Sequence, residues 1–347
     1  MKKNQGDVIG SSTSLIERFV IKLNAEFVLN DLGSLNFFLG IEAIRDTTGI
    51  HLCQKKYVRD LLSKQGMLKC KSVSIPITPK AIQESTSSYL SDPHEYRVLV
   101  GALQYLSITR PDITYVINVA SQHMQCPTAN DFSALKRILR CLVATPNHGI
   151  HIRPCSRLQL SIFSNSDCSG CPLTRRSTSG FCSFLGSNLI SWSSKKQPTV
   201  ARSSIEAEYR SIATAAAEVT WLQFLLRDLQ VQLPAALIAY CDNTSATYLA
   251  YNHVMHSRSK HIAIDYHFVR EKVALGDLTV LHVLTHKQLA DVFTKPLSTS
   301  KFHFAISNLF LSIPTQLEGG CKPHKSLSPA LSAQQSHTKD QETNSPQ

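Results

Sequence analysis

Leu15, Phe19 and Leu23 recur on one helical face of residues 14–27, and Ser14 with Glu17 has capping-box spacing, so a helix is expected there. Residues 35–45 and 50–53 read as two strands around Asp46-Thr47-Thr48-Gly49, a polar, glycine-ended link that suits a hairpin. Residues 55–65 read as a helix stopped by Gly66. A polar stretch at 75–91, with two prolines, marks a linker. Helices are then expected at 92–109, ending before Arg110-Pro111, at 112–125 and at 130–144. In the last, Phe132, Leu135, Leu139 and Leu142 share a face that excludes Lys136, Arg137 and Arg140, and a solvated basic face is the better reading.

From residue 158 the period changes. Strands are expected at 158–165, 179–185 and 189–193, a long helix at 204–229, a strand at 237–241, two helices, a strand at 278–284 and a helix at 286–295. Three sequential strands predict an antiparallel meander, and the later strands return through helices, so the sheet should be mixed α/β. Residues 312–347 are rich in Ser, Gln, Pro and Lys, and are expected to form a disordered tail.

Composition narrows the function classes. The 347 residues suffice for two or three domains, and a 43% hydrophobic content can fill their cores. Lysine and arginine exceed aspartate and glutamate by 36 to 25, and a net charge of +11 favours a polyanion such as nucleic acid. No apolar run approaches the roughly 18 residues of a membrane span, and the N-terminus lacks a signal-like apolar segment, so a soluble, intracellular protein with no membrane partner is expected. Among ten cysteines, Cys168 and Cys171 alone have zinc-like spacing, with no second pair to complete a finger, so free thiols are expected.

The chemistry rests on carboxylates. Two-metal hydrolysis of a phosphodiester needs several of them converging, to hold two divalent ions about 3.5–4 Å apart. Glu206, Asp242 and Asp291 lie at the edges of three different expected elements. Each also has an ordinary reading: Glu206 closes a capping box with Ser203, Asp242 caps a helix, and Asp291 is a solvated helix residue.

The strings TRRSTSGFCSFLG, LISWSSKKQPTVARSSIEAEYRSIATAAAEVTWL, YCDNTSA, SKHIAIDYHFVREKVALG and QLADVFTKPL decide between the readings. Across Phe163 to Leu297 the chain resembles the RNase H domain of copia-type LTR retrotransposon polyproteins. The resemblance implies an RNase H-like mixed five-stranded sheet with flanking helices, and Mg²⁺ or Mn²⁺ hydrolysis of the RNA strand of an RNA/DNA hybrid. It places metal-binding carboxylates at Glu206, Asp242 and Asp291. At the first-strand position the chain has Asn165, with Asp167 at the family's second aspartate and Cys168 where tryptophan is usual. An amide brings an oxygen but no charge, so weakened metal affinity and impaired catalysis are expected. Asp167 is two residues along the strand, about 6.6 Å away, and reaches the site only through a bulge at Ser166. Arg175, Arg176, Lys195, Lys196 and Arg202 are the candidate nucleic-acid contacts, by phosphate rather than base recognition. Lys260, His261 and His267 stay outside the catalytic set.

The front of the chain, with LNDLGSLNFFLGIEAIRD, HLCQKKYVRDLL, SDPHEYRVLVGALQYLSITRPDI and LKRILRCLVATPNHGIHI, resembles the end of the same polyprotein's reverse transcriptase and its connecting region. The expected organisation is an α+β reverse-transcriptase remnant at 8–80, a helical connection at 81–156, the RNase H-like domain at 157–300 and the tail. The family's paired polymerase aspartates fall just upstream of Val8-Ile9-Gly10, so no polymerase activity is expected. Two alternatives to a nuclease are a non-catalytic nucleic-acid-binding module and a non-functional fragment of a decayed element.

Overall fold

The computed structural model describes residues 12–27, 36–78, 87–155, 157–252, 262–309 and 311–312, all within one compact unit that ends at Pro314. The expected tail lies outside the described residues apart from Ser312, and so do Val8, Lys260 and His261.

Helix α1, Thr13–Glu26, starts one residue early. Ser12 is its N-cap, with no side-chain bond to the helix backbone, and Ser14, inside the helix with its Oγ 3.0 Å from Ser12 Oγ, does not cap it, so the expected Ser14–Glu17 box is not formed. Strands β1 (Phe37–Phe38), β2 (Ile41–Asp46) and β3 (Gly49–Cys53) form an antiparallel run. The hairpin turn is held by Asp46 Oδ1, which accepts from the amides of Thr48 and Gly49 at 2.7 and 2.9 Å. Helix α2, Lys55–Lys64, is followed by Gly66 at φ +63°, as its sequence dictates.

Helices α3 (His94–Leu106), α4 (Thr114–Ser121) and α5 (Ala129–Ala144) pack with α2 around Val58, Leu99, Leu103, Leu135 and Leu139. Thr128 and Asp131 cap α5 with a complete capping box. Strand β4 (Gly149–Ile152) then pairs with β3, and β10 (Leu311–Ser312) pairs with β4, giving a sheet ordered β1-β2-β3-β4-β10. Neither β4 nor β10 is expected from the sequence pattern. They finish, from residues far along the chain, a sheet begun at residue 37.

The second sheet is built almost without interruption. Strands β5 (Leu160–Ser166), β6 (Thr178–Leu185) and β7 (Asn188–Lys196) form the antiparallel meander. Helix α6 (Ser204–Asp228) leads to β8 (Leu237–Cys241), and helices α7 (Thr244–Tyr251) and α8 (Ala263–Ala274) precede β9 (Leu278–His282). The order β7-β6-β5-β8-β9, with β8 and β9 parallel to β5, is the mixed five-stranded sheet expected above. On one face Leu160, Ile162, Leu237 and Ala239 meet Tyr209, Ile212, Ala216 and Val219 of α6. Full burial of each larger side chain is worth roughly 1.5–3 kcal/mol.

The opposite face carries Cys182, Phe184 and Leu189 beneath Leu289, Val292, Phe293 and helix α9 (Thr299–Asn308), and the same core takes in Ile75 and Ile150 from the front half. The helix expected at 286–295 is replaced by two 3₁₀ turns, Thr285–Lys287 and Leu289–Phe293. Gln288 between them has extended backbone, and its side chain donates to the Ser164 carbonyl at 2.9 Å and accepts from the Ala290 amide at 3.1 Å. Those bonds pin the chain to β5 and break any continuous helix. Among the described residues no helix is long and apolar enough to cross a membrane.

Candidate active site

Parallel pairing of β5 with β8 brings Asn165 and the Cys241-Asp242 pair to the same end of the sheet. The start of α6 adds its acidic residues there. The Leu289–Phe293 turn supplies Asp291, and it comes this close because β6 offers Gly180: a Cβ there would lie 2.6 Å from Phe293 Cβ and 2.8 Å from Thr294 Cγ2.

The two glutamates of Glu206-Ala207-Glu208 part company. Successive residues turn by about 100°, so side chains two apart face nearly opposite ways. Glu206 turns back on the helix start, where Oε2 accepts from the Arg202 amide at 2.7 Å and Oε1 pairs with Arg210 at 2.6 Å, while its own amide donates to Ser203 Oγ. This is the ordinary capping role, and Glu206, expected as a metal-binding carboxylate, is not brought to the others. Glu208 is. Its Oε1 accepts from the Ser166 amide at 3.2 Å, and its Oε2 faces Cys241 Sγ at 3.8 Å. Burial pushes the Glu208 carboxyl up to about 8, with repulsion from Asp242 and Asp291 adding to the effect. Sequence reasoning missed Glu208, although a Ser-x-x-Glu start already gives the first glutamate a task.

Asp242 keeps its place beside Glu208. The helix-capping alternative falls to its neighbour, since Asn243 caps α7 by accepting from the Ala246 amide at 3.0 Å. Ligand atoms of Glu208, Cys241 and Asp242 all lie within 4.8 Å of one another. Burial pushes the Cys241 thiol up, and Glu208 adds to this.

Asn165 is 2% exposed, and its amide nitrogen donates to Asp291 Oδ1 and, at 2.9 Å, to Thr294 Oγ1. That orientation follows from the partners. The Thr294 hydroxyl donates to the Asp291 carbonyl at 3.3 Å, and a carboxylate only accepts, so the amide must present its N–H groups. Asp291 is also paired with Lys295 at 2.8 Å. Burial raises its carboxyl, Lys295 pulls it back down, and Asp242 raises it again.

Asp167 has no such reach. Its carboxylate accepts from the amides of Thr178 and Gly170, which organises the β5–β6 loop, and burial pushes it up to about 6. Ser166 stays in register opposite Ser179, so the bulge needed to bring Asp167 inward is absent from this strand pair.

Of the basic candidates, Arg175, Lys195 and Arg202 are exposed. Arg176 instead donates to the Gln197 carbonyl at 2.5 Å, and Lys196 binds Gln122 Oε1 and Cys171 Sγ, both at 2.8 Å. The His267 ring lies edge-on to Tyr266 at 5.4 Å.

The chain is 47% identical over 212 residues to the uncharacterized mitochondrial protein AtMg00810 of Arabidopsis thaliana, a match covering 61% of this chain and 88% of that one. It is 48% identical over 296 residues to the retrovirus-related Pol polyprotein from transposon RE1 of the same plant, covering 85% of this chain and 20% of the relative. The chain belongs to the copia-type retrotransposon Pol family. It spans about a fifth of the length of the Pol polyproteins it matches. Within this Pol chain, residues 7–79 match the reverse transcriptase (RNA-dependent DNA polymerase) family. Among solved structures, the N-terminal RNase H domain of a Mycobacterium tuberculosis protein aligns at 12% identity and a TM-score of 0.31, covering 43% of this chain and 97% of that one.

Proposed function

We propose that residues 157–300 form an RNase H-like domain that engages RNA/DNA hybrids and whose hydrolytic site is disabled at one position. The observation that carries this reading is the hydrogen bond from the Asn165 amide to Asp291. Three carboxylates, Glu208, Asp242 and Asp291, stand in the electrostatic reach of one another. A pair of hard divalent ions needs more negative charge than they supply once Lys295 is paired with Asp291. An aspartate at 165 would add charge and an acceptor. The asparagine adds donors that compete with a cation for Asp291. The residues present therefore do not fit a pair of Mg²⁺ or Mn²⁺ ions, and no hydrolytic step through such ions is assigned to the natural chain.

Exposed Arg175, Lys195 and Arg202 support the binding half of the reading, since their charge can meet phosphates without reading sequence. The test uses a labelled RNA/DNA hybrid with Mg²⁺ or Mn²⁺. The natural chain is expected to bind with a steep salt dependence and to cleave little, and Asn165→Asp to cleave. Robust cleavage by the natural chain, lost in Glu208→Gln, would overturn the disabled-site reading. Absence of salt-dependent binding would overturn the hybrid-binding one.

A further inference from the structure

The loop between β5 and β6 carries a thiol that the hydrolytic site does not use. Cys171 is half-buried there, and the Lys196 ammonium at the end of β7 donates to its Sγ at 2.8 Å. A second bond fixes the same ammonium, from Lys196 Nζ to Oε1 of Gln122, the residue that ends helix α4, also at 2.8 Å. Sulfur and nitrogen are held in contact from two different elements. The loop closes round the sulfur: the Arg175 amide donates to the Cys171 carbonyl at 2.8 Å, with Arg175 itself at φ +53°. Burial raises the Cys171 thiol, but hydrogen bonds from Lys196, from the Thr174 side chain and from the Thr174 and Leu173 amides outweigh it and bring the thiol down to about 7. The buried thiols of Cys141, Cys182 and Cys241 are pushed the other way by burial.

We propose that Cys171 and Lys196 form a peroxide-oxidisable pair that closes into a reversible sulfur–nitrogen cross-link. The Cys171 thiolate attacks one oxygen of hydrogen peroxide, the O–O bond breaks, and the departing hydroxide takes a proton from the Lys196 ammonium and leaves as water. Sulfur is oxidised by two electrons to the sulfenic acid, and the peroxide is reduced. Lys196 is left as a neutral amine beside that sulfenic acid. Its nitrogen attacks the sulfur, the S–O bond breaks, and hydroxide leaves with the surplus proton of the amine as a second water, with no further change of oxidation level. The ion pair supplies both the nucleophilic thiolate and, once its proton is given up, the amine that captures the product. Closure ties the β5–β6 loop to β7 and removes the charge of Lys196, and a thiol reductant reopens it. Neither step involves the acidic cluster or hydrolysis.

Peptide mass mapping of the full chain after treatment with hydrogen peroxide tests the pair. The expected product joins the segment holding Cys171 to the segment holding Lys196, short of two hydrogens, and is lost on adding dithiothreitol. Cys171→Ser should remove it. Lys196→Arg keeps a positive charge beside the sulfur but offers no amine, so the link should disappear and a sulfenic acid at Cys171, captured by dimedone, should take its place. Cys168→Ser should leave the link intact. Near-ultraviolet circular dichroism of each variant confirms the fold. A disulfide between Cys168 and Cys171 in the natural chain, a sulfenic acid at Cys171 that stays unlinked there, or a Cys171 that peroxide leaves unmodified would each overturn the proposal.

Discussion

The two sides of the acidic cluster differ in what already neutralises them. On one side Glu208 and Asp242 repel each other, and burial together with that repulsion raises the Glu208 carboxyl by more than Lys295 lowers it. On the other, Asp291 has an ammonium at 2.8 Å from Lys295 and an amide donor from Asn165. A buried carboxylate can be kept by protonation or by pairing, and this site uses both within one cluster. The consequence is asymmetric. Glu208 is held by the Ser166 amide and the Cys241 thiol, whereas Asp291 is held by a full positive charge and an amide donor.

The largest expected effect separates the two glutamates at the start of α6. With Asn165→Asp restoring the charge, Glu208→Gln should lower hybrid cleavage by on the order of 10²–10³-fold, the scale of losing one preorganised electrostatic group. Glu206→Gln in the same background should leave the cleavage rate within about threefold, because its carboxylate serves Arg202 and Arg210. Equal losses from both would break the comparison.

Stability against pH probes the protonated side. The folded Glu208 carboxyl, at about 8, lies above its ordinary value of 4.5, so the folded state binds more protons than the unfolded state between those limits. Stability should fall as pH rises through that window, at up to about 1.4 kcal/mol per pH unit from this group. Chemical denaturation at pH 5, 6, 7 and 8 should show the decline, and Glu208→Gln should make it shallower, most of all between pH 6 and 8, above the range in which Asp167 contributes. An unchanged slope in that variant would place the titration elsewhere.

Gly180→Ala addresses the paired side through its scaffold. The new Cβ meets Phe293 Cβ and Thr294 Cγ2 at 2.6 and 2.8 Å, and overpacking of this kind costs about 1–3 kcal/mol. Asp291 should shift with the turn, so in the Asn165→Asp background cleavage should fall along with the thermal midpoint. A variant as stable and active as its parent would show that the turn does not depend on this close approach. The smallest effect is expected from Ser203→Ala, which removes the acceptor for the Glu206 amide and should cost about 1 kcal/mol of stability in denaturant titration with no change in cleavage.

The second sheet was readable in the sequence because its strands and helices follow one another, and local period and turn residues announce each in order. Strands β4 and β10 were not. They are short, and their partners lie about a hundred residues or more away, so local pattern carries little sign of them. The segment Leu289–Phe293 was misread because Leu289, Val292 and Phe293 have the spacing of a helical face, and 3₁₀ turns buried against β5 and β6 satisfy the same spacing. Within the site, the positions of Asp242, Asp291 and Asn165 at one end of the sheet were legible from their motifs. Glu208 was not, because both glutamates suit the motif and only the direction of the helix start separates them. The direction of the Asn165 amide depended on Thr294, whose hydroxyl proton is committed to a backbone carbonyl.

On the proposed reading, a single amide turned onto Asp291 separates this chain from an active hybrid nuclease. Its most direct test is the initial rate of RNA-strand cleavage in a labelled RNA/DNA hybrid, compared between the natural chain and Asn165→Asp at saturating Mg²⁺ or Mn²⁺. Asn165→Asp is expected to gain on the order of 10²-fold, the scale of one preorganised electrostatic group, and to lose that gain when Glu208→Gln is added. Equal rates in the two folded chains would contradict it.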